Sequence, residues 1–148
     1  MAAVEPQIPD VAHIVQLAVA PVFLLSGVGV TLGMFTQRLG RIVDRARLLE
    51  AKLAESRNDK DLLQHLTVLA RRARYINTAI TLATISGLMV ALTVVLLFTS
   101  TLAGVHLATA IAIAFVAAML ALTAALFVFL VEVRFATATL RIGGHLDL

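Results

Sequence analysis

The sequence predicts an all-α integral membrane protein with three transmembrane helices, the first two extended into a cytoplasmic antiparallel helical hairpin. Three observations predict this fold. The chain is 60% hydrophobic with a mean hydropathy of +0.97, it contains three long uncharged runs, and its basic residues cluster between the first two runs. A soluble domain of 148 residues has too much surface to hide this much apolar area, whereas lipid-facing residues are expected to be apolar.

The uncharged runs define the predicted transmembrane helices as residues 14–36, 77–100 and 106–131. Each run exceeds the roughly 20 helical residues that cross a hydrocarbon core. Pro21 lies inside the first run and removes one backbone donor, which predicts a kink or a break there. A short turn containing Gly104 makes the second and third helices antiparallel neighbours.

The segment 37–76 predicts the basic cytoplasmic hairpin, because it holds ten of the twelve Lys and Arg residues. Its apolar residues recur at the heptad spacing of coiled coils. One arm carries Leu39, Ile42, Ala46, Leu49 and Leu53, and the other carries Leu62, Leu66, Leu69, Ala73, Ile76 and Ile80. The turn-forming residues Ser56, Arg57, Asn58 and Asp59 separate the two arms.

The distribution of basic residues predicts the orientation in the membrane. Cytoplasmic segments carry an excess of Lys and Arg. With the short tail 1–13 outside and the tail 132–148 in the cytoplasm, all twelve basic residues lie on the cytoplasmic side. The N-terminus is therefore expected outside and the C-terminus inside.

The composition argues against several kinds of chemistry. The chain has no cysteine, and its four histidines lack the spacing of metal ligands, so neither a metal nor a cofactor is expected. A metal site shared by His13 and His106 at the outer surface is a minority alternative. Phosphate-binding loops, nucleophile elbows and paired catalytic carboxylates are not recognisable, so we do not expect an enzyme. The placement of the basic residues favours membrane lipids with anionic headgroups as partners, and no nucleic acid.

Four segments resemble a known family. They are residues 20–25 with Gly27 and Gly29, residues 38–47 (RLGRIVDRAR), residues 71–77 (RRARYIN) and residues 129–134 (FLVEVR). This pattern is similar to that of a family of small bacterial three-helix membrane proteins catalogued as domain of unknown function 2721. The resemblance covers nearly the whole chain and implies a protein of the bacterial inner (cytoplasmic) membrane. It implies no activity and no functional residues.

Charged residues near the inner ends of the helices are the candidates for contact with ions. They are Glu132, Arg38, Arg41, Asp44 and Arg45. Repeated around an oligomer, they predict a charged ring at the mouth of a pore. The alternative is that the arginines anchor the topology at anionic headgroups. Glu132 is then an interfacial carboxylate paired with Arg134 or with an arginine of the hairpin. Candidates for binding lipid or a partner are Arg47, Arg71, Arg72 and Arg74.

Small residues recur on two of the predicted transmembrane helices. The first carries Ser26, Gly29, Gly33, Thr36 and Gly40, and the third carries Ala110, Ala114, Ala117, Ala121 and Ala124. Small residues let helix backbones approach closely in lipid. These stripes predict helix packing inside one protomer, contact between subunits, or the lining of a pore.

Two functions are compatible with these features. The first is a homo-oligomer that conducts ions, because three helices do not easily enclose a path alone. The second is a non-conducting membrane scaffold or regulator whose basic hairpin binds anionic lipid or a cytoplasmic partner.

Overall fold

The computed structural model describes residues 8–55 and 60–140, and these residues form three α-helices and no strand. The helices are α1 (Ile8–Glu55), α2 (Lys60–Leu102) and α3 (Ala108–Leu140). Each contains a segment long and apolar enough to cross a membrane. The prediction of an all-α chain with three such helices is confirmed. The predicted turn at Ser56–Asp59 and the last eight residues lie outside the described part of the chain.

Each of the first two helices joins a predicted transmembrane segment to a predicted hairpin arm. α1 continues for 48 residues, and it passes through Pro21 without a break. Proline is tolerated inside membrane-length helices, and Pro21 is buried. α2 is continuous over 43 residues.

The turn between α2 and α3 has a defined helix-capping geometry. Gly104 has a φ of +62°, a left-handed conformation that glycine adopts without a Cβ clash. The amide of Val105 donates to the carbonyl of Ser100 at 3.0 Å, and the amide of Gly104 donates to that of Thr101 at 3.4 Å. These two bonds form a Schellman motif, which satisfies carbonyls that the end of α2 leaves open.

The chain divides into two compact units, each built from segments of all three helices. The first contains the described residues up to Thr31 together with Ala83–Leu122. Its core includes Val28, Val90 and Ala118. The buried Ser86 hydroxyl donates to the Ala118 carbonyl at 2.8 Å, so α2 and α3 approach closely there. Gly87 permits the approach of α1, since a Cβ at this position would lie 3.3 Å from Val28 Cγ1.

The second unit contains Leu32–Leu82 and the described residues from Thr123 onward. Both heptad stripes face its interior. Ile42, Leu69 and Ile76 are buried, and the remaining stripe residues with described side chains are half-buried. Ala46 of α1 and Leu66 of α2 line the same groove, so the two stripes face each other.

Candidate functional site: a buried carboxylate held by two arginines

Each helix contributes one charged residue to a cluster inside the second unit. The cluster consists of Arg38 from α1, Arg72 from α2 and Glu132 from α3. The Glu132 side chain is completely buried. Its Oε1 accepts from Arg72 Nε at 3.0 Å and from Arg72 Nη2 at 2.9 Å. Its Oε2 lies 3.6 Å from Arg38 Nε, an ion pair rather than a hydrogen bond.

Helical periodicity places these charges inside. Glu132 follows the buried Ala118 and Ala125 at seven-residue intervals, so the carboxylate falls on the face that α3 turns toward its neighbours. Each arginine lies three residues after one buried residue of its own helix and four residues before another. Arg38 lies between Phe35 and Ile42 in this way, and Arg72 lies between Leu69 and Ile76.

Two aromatic rings pack beside the cluster. The rings of Phe35 and Phe129 have centroids 4.5 Å apart with 33° between their planes. The guanidinium carbon of Arg38 lies 5.3 Å from the centroid of Phe129, within the range of a cation–π contact. The aromatic pair therefore supports the arginine that contacts Glu132 least closely. Phe35 is completely buried, so water is excluded from this side of the cluster.

The cluster holds more positive than negative charge, and the two oxygens of its carboxylate differ in hydrogen bonding. One carboxylate faces two guanidinium groups, which leaves a formal charge of +1. Oε2 of Glu132 is buried and has no hydrogen-bond partner among the described residues. The arginine side chains are 35% (Arg38) and 27% (Arg72) exposed, so part of each still reaches the surface. The negative charge is thus enclosed, whereas the side chains that carry the positive charges are partly exposed.

The other charged candidates do not join this cluster. Arg41, Asp44, Arg45 and Arg47 are exposed on α1, and Arg71 and Arg74 are exposed on α2. In the described part of the chain none of these six residues forms an ion pair. The sequence left Arg134 or an arginine of the hairpin as the partner of Glu132. The structure shows Glu132 paired with Arg38 and Arg72, which lie in the predicted hairpin arms.

The two small-residue stripes differ in their surroundings. Ser26, Gly29, Gly33 and Gly40 are exposed on α1, and a Cβ added to any of these glycines meets nothing within 4 Å. These glycines therefore do not pack against another helix of the described chain. On α3, Ala114, Ala117 and Ala121 are half-buried at the edge of the packed face.

Close packing between the helices of the chain falls on positions that the sequence patterns did not single out. Ala118 and Ala125 are the completely buried alanines of α3, and Gly87 is the glycine against which another helix packs. Ala118, Ala125 and Glu132 are spaced seven residues apart, and this spacing is the feature of the sequence that could have identified the two alanines. The alanine-rich sequence of α3 obscures that signal, because small residues occupy nearly every face.

These observations define the class of protein: a small all-helical chain with three helices of membrane-spanning length and a buried ionic cluster. Comparison with protein families places it more specifically. The family model described as "Protein of unknown function (DUF2721)" matches residues 18–142, and the chain belongs to this family. No curated protein and no solved structure matches the chain significantly.

Proposed function

We propose that this protein is a homo-oligomer of the bacterial inner membrane that conducts ions, with α1 of each subunit facing the symmetry axis. The N-terminus is outside and the basic ends of α1 and α2 are in the cytoplasm. The observation that carries this proposal is the exposed row of small and polar residues on α1. It comprises Ser26, Gly29, Gly33, Thr36 and Gly40 and is called the glycine row below.

The glycine row lies on the side of α1 away from its packed face. At 100° per residue, its members fall within a narrow sector, and the buried Val28, Phe35 and Ile42 fall on the opposite side. The hydroxyl of Thr36 donates to the Leu32 carbonyl at 2.9 Å, so its proton is satisfied within the helix. Its oxygen still has capacity to accept a bond.

A row of this kind is poorly suited to lipid contact. Glycine leaves the helix backbone uncovered and offers little apolar area, whereas small residues favour a second helix at close range. Gln37, Asp44 and Arg47 lie on or beside the continuation of the same sector and are exposed. Polar groups on a membrane helix favour protein or water over hydrocarbon. A second copy of α1 covers the glycines at close range. An aqueous path between copies keeps the polar groups out of hydrocarbon.

In this arrangement the charged ring at the cytoplasmic mouth comes from Asp44 and Arg47, which continue the sector of the glycine row and have no ion-pair partner among the described residues. Arg41 and Arg45 lie farther around α1, outside that sector. Glu132 plays a different part. Because its carboxylate is buried and held by Arg72, its role is to fix α3 against the arginines of α1 and α2. It does not contact the conducted ion.

Enlarging the glycine row tests both the assembly and the conduction. We expect Gly33→Leu to raise the dissociation constant of the oligomer at least about tenfold, equivalent to about 1.4 kcal/mol. Ion flux in liposomes should fall in parallel, because the larger side chain separates or blocks the packed helices. Oligomer size is measured by light scattering in detergent, and flux by ion-sensitive dyes and planar-bilayer recording.

Gly27→Leu is the matched control. Gly27 is also exposed, with nothing within 4 Å of an added Cβ, but it lies outside the glycine row. It should keep the size and flux of the parent protein. Equal effects of the two substitutions would refute the role of the row. An oligomer that passes no ion at any voltage, pH or salt would refute conduction.

A second function is favoured by a separate observation. Arg41, Arg45, Arg71 and Arg74 are exposed on the two neighbouring helices and form no ion pair in the described chain. Basic residues next to an anionic leaflet contribute about 1 kcal/mol each to membrane attraction. The alternative proposal is therefore a non-conducting scaffold whose basic surface binds anionic headgroups or a cytoplasmic partner.

Charge reversal at two of these positions tests the alternative. Arg71→Glu with Arg74→Glu should weaken binding of detergent-solubilised protein to phosphatidylglycerol vesicles by more than about tenfold, since each arginine contributes about 1 kcal/mol. Lys52→Glu near the end of α1 with Lys60→Glu at the start of α2 changes the net charge equally. This control should have a smaller effect, because both positions lie farther along the helices from the predicted transmembrane segments. Arg72 is left intact, because its reversal also disrupts the Glu132 cluster. Equal losses in both double variants would mean that net charge alone governs binding.

A further inference from the structure

A pocket of about 790 Å³ lies in the first unit, at the end of that unit where α2 turns into α3. Segments of all three helices and the turn at Gly104 line it. Small-molecule sites typically enclose about 300–1,000 Å³ behind mainly apolar walls. The size of this pocket therefore suits one small ligand, and none of the residues that line it belongs to the Glu132 cluster or to the glycine row.

The walls of the pocket are largely apolar. Leu17 and Pro21 come from α1, Leu97 from α2, and Ile111 and Phe115 from α3. A flexible hydrocarbon chain matches such a lining, because these side chains offer it van der Waals contacts and the walls hold no charge that must be compensated.

The polar groups of the pocket differ in what they can donate. The hydroxyls of Thr93, Ser100 and Thr101 each donate to a backbone carbonyl of α2, at 2.8, 3.0 and 3.3 Å respectively. Their protons are thus already used. The imidazoles of His13 and His106 also line the pocket, and a ring N–H of each can donate to a ligand. The side chains that can readily donate to a ligand are therefore the two histidines.

We propose that this pocket binds a single-chain amphiphile with a carboxylate head, the chemistry of a free fatty acid. The carboxylate accepts from His13 and His106, and the hydrocarbon chain lies against Leu17, Leu97 and Phe115. A carboxylate is suited to this end because it only accepts hydrogen bonds when ionised. A metal ion fits less well, since no group of three or more metal-binding side chains occurs in the described chain. This inference does not depend on whether the protein conducts ions.

Photolabelling tests the proposal on the full-length protein in phosphatidylcholine nanodiscs. A palmitate analogue that carries a diazirine on its chain is the probe, and unlabelled palmitate is the competitor. We expect saturable labelling of peptides that contain the pocket walls, which palmitate displaces. Ala112→Trp should abolish this labelling by filling the pocket, and Ala20→Trp should do the same from α1. Ile113→Trp is the control, because Ile113 is 65% exposed and does not line the pocket.

Histidine variants test the head of the ligand. His13→Ala with His106→Ala should raise the palmitate concentration needed for half-displacement at least about tenfold, because two bonds to a charged group are lost. His65→Ala, on a distant part of α2, should leave it unchanged. Helical circular dichroism and elution volume establish that each variant is folded.

Three results would overturn the proposal. The first is labelling spread over lipid-facing peptides and equal in all variants. The second is hexadecanol competing as well as palmitate, which would remove the carboxylate from the argument. The third is a quinone displacing the probe better than palmitate does, which would assign the pocket to a different class of amphiphile.

Discussion

Replacing Glu132 by glutamine should lower the free energy of unfolding by about 3 kcal/mol. The substitution keeps the shape of the side chain and removes its charge, so Arg72 and Arg38 face each other without a counter-ion. Removing one partner from a buried ion pair typically costs 3–5 kcal/mol. We expect the low end of that range, because both arginines are about a third exposed and water screens part of their repulsion.

Equilibrium unfolding in mixed micelles, followed by circular dichroism, measures this loss. Glu50→Gln is the matched control: Glu50 is exposed on α1 and forms no ion pair in the described chain. Its substitution should change the unfolding free energy by no more than about 0.5 kcal/mol. If Glu132→Gln unfolds at the same denaturant concentration as the parent, the ion pairs seen at this site contribute nothing to stability.

Removing the whole cluster should be far less harmful than removing its acid. A triple variant with Glu132→Leu, Arg72→Leu and Arg38→Met has no buried charge left without a partner. Replacing complete buried ionic clusters by apolar residues is often neutral or stabilising. The triple variant should therefore recover most of the stability that Glu132→Leu loses alone. A triple variant less stable than the single one would mean that shape, not charge balance, governs this site.

The same substitutions separate the structural role of Glu132 from a role in conduction. A carboxylate that contacts a conducted ion would change flux when neutralised and leave the fold intact. A carboxylate that fixes three helices would lower stability first, and flux would fall only with loss of the folded protein. Measuring flux for Glu132→Gln at a temperature where it is fully folded distinguishes these outcomes.

The sequence was most informative where one physical requirement dominates. Uncharged runs of more than 20 residues have few alternatives to membrane-length helices, and all three appear. The heptad stripes of the predicted hairpin arms also fall on packed faces, as Ile42, Leu69 and Ile76 show. Charge pattern and periodicity act locally along the chain, so a single sequence is enough to read them.

Contacts between helices were harder to predict, because they depend on rotation as well as spacing. Gly29 and Gly33 have the spacing of a helix-packing motif, yet no neighbouring helix covers them, while a Cβ added to the isolated Gly87 would lie within 4 Å of Val28 and Leu25. The sequence did not identify the arginines that pair with Glu132, because this pairing also depends on helix rotation. Several arginines lie next to the predicted transmembrane segments of α1 and α2, and the rotation of these two helices selects Arg38 and Arg72.

Truncating Phe35 to alanine should produce the second large loss, about 3–5 kcal/mol of unfolding free energy. Phe35 is completely buried, and its ring packs 4.5 Å from that of Phe129. The truncation leaves a cavity and also removes the support of the ring beneath Arg38. Combining Phe35→Ala with Glu132→Gln should therefore cost less than the sum of the two single losses, since residues that share a network are not independent.

Phe127→Ala provides the control for Phe35→Ala, because it removes the same atoms from a ring that is 66% exposed on α3. No cavity can form at an exposed position, so the unfolding free energy should change by no more than about 0.5 kcal/mol. Both variants are measured in the same micelles at the same protein concentration. Equal losses at the two positions would indicate that Phe35 is not part of a packed core. A difference of several kcal/mol between the two variants would establish that Phe35 is part of a packed core. If Phe35→Ala and Glu132→Gln together also cost less than the sum of their single losses, the aromatic pair and the ionic cluster stabilise the second unit together.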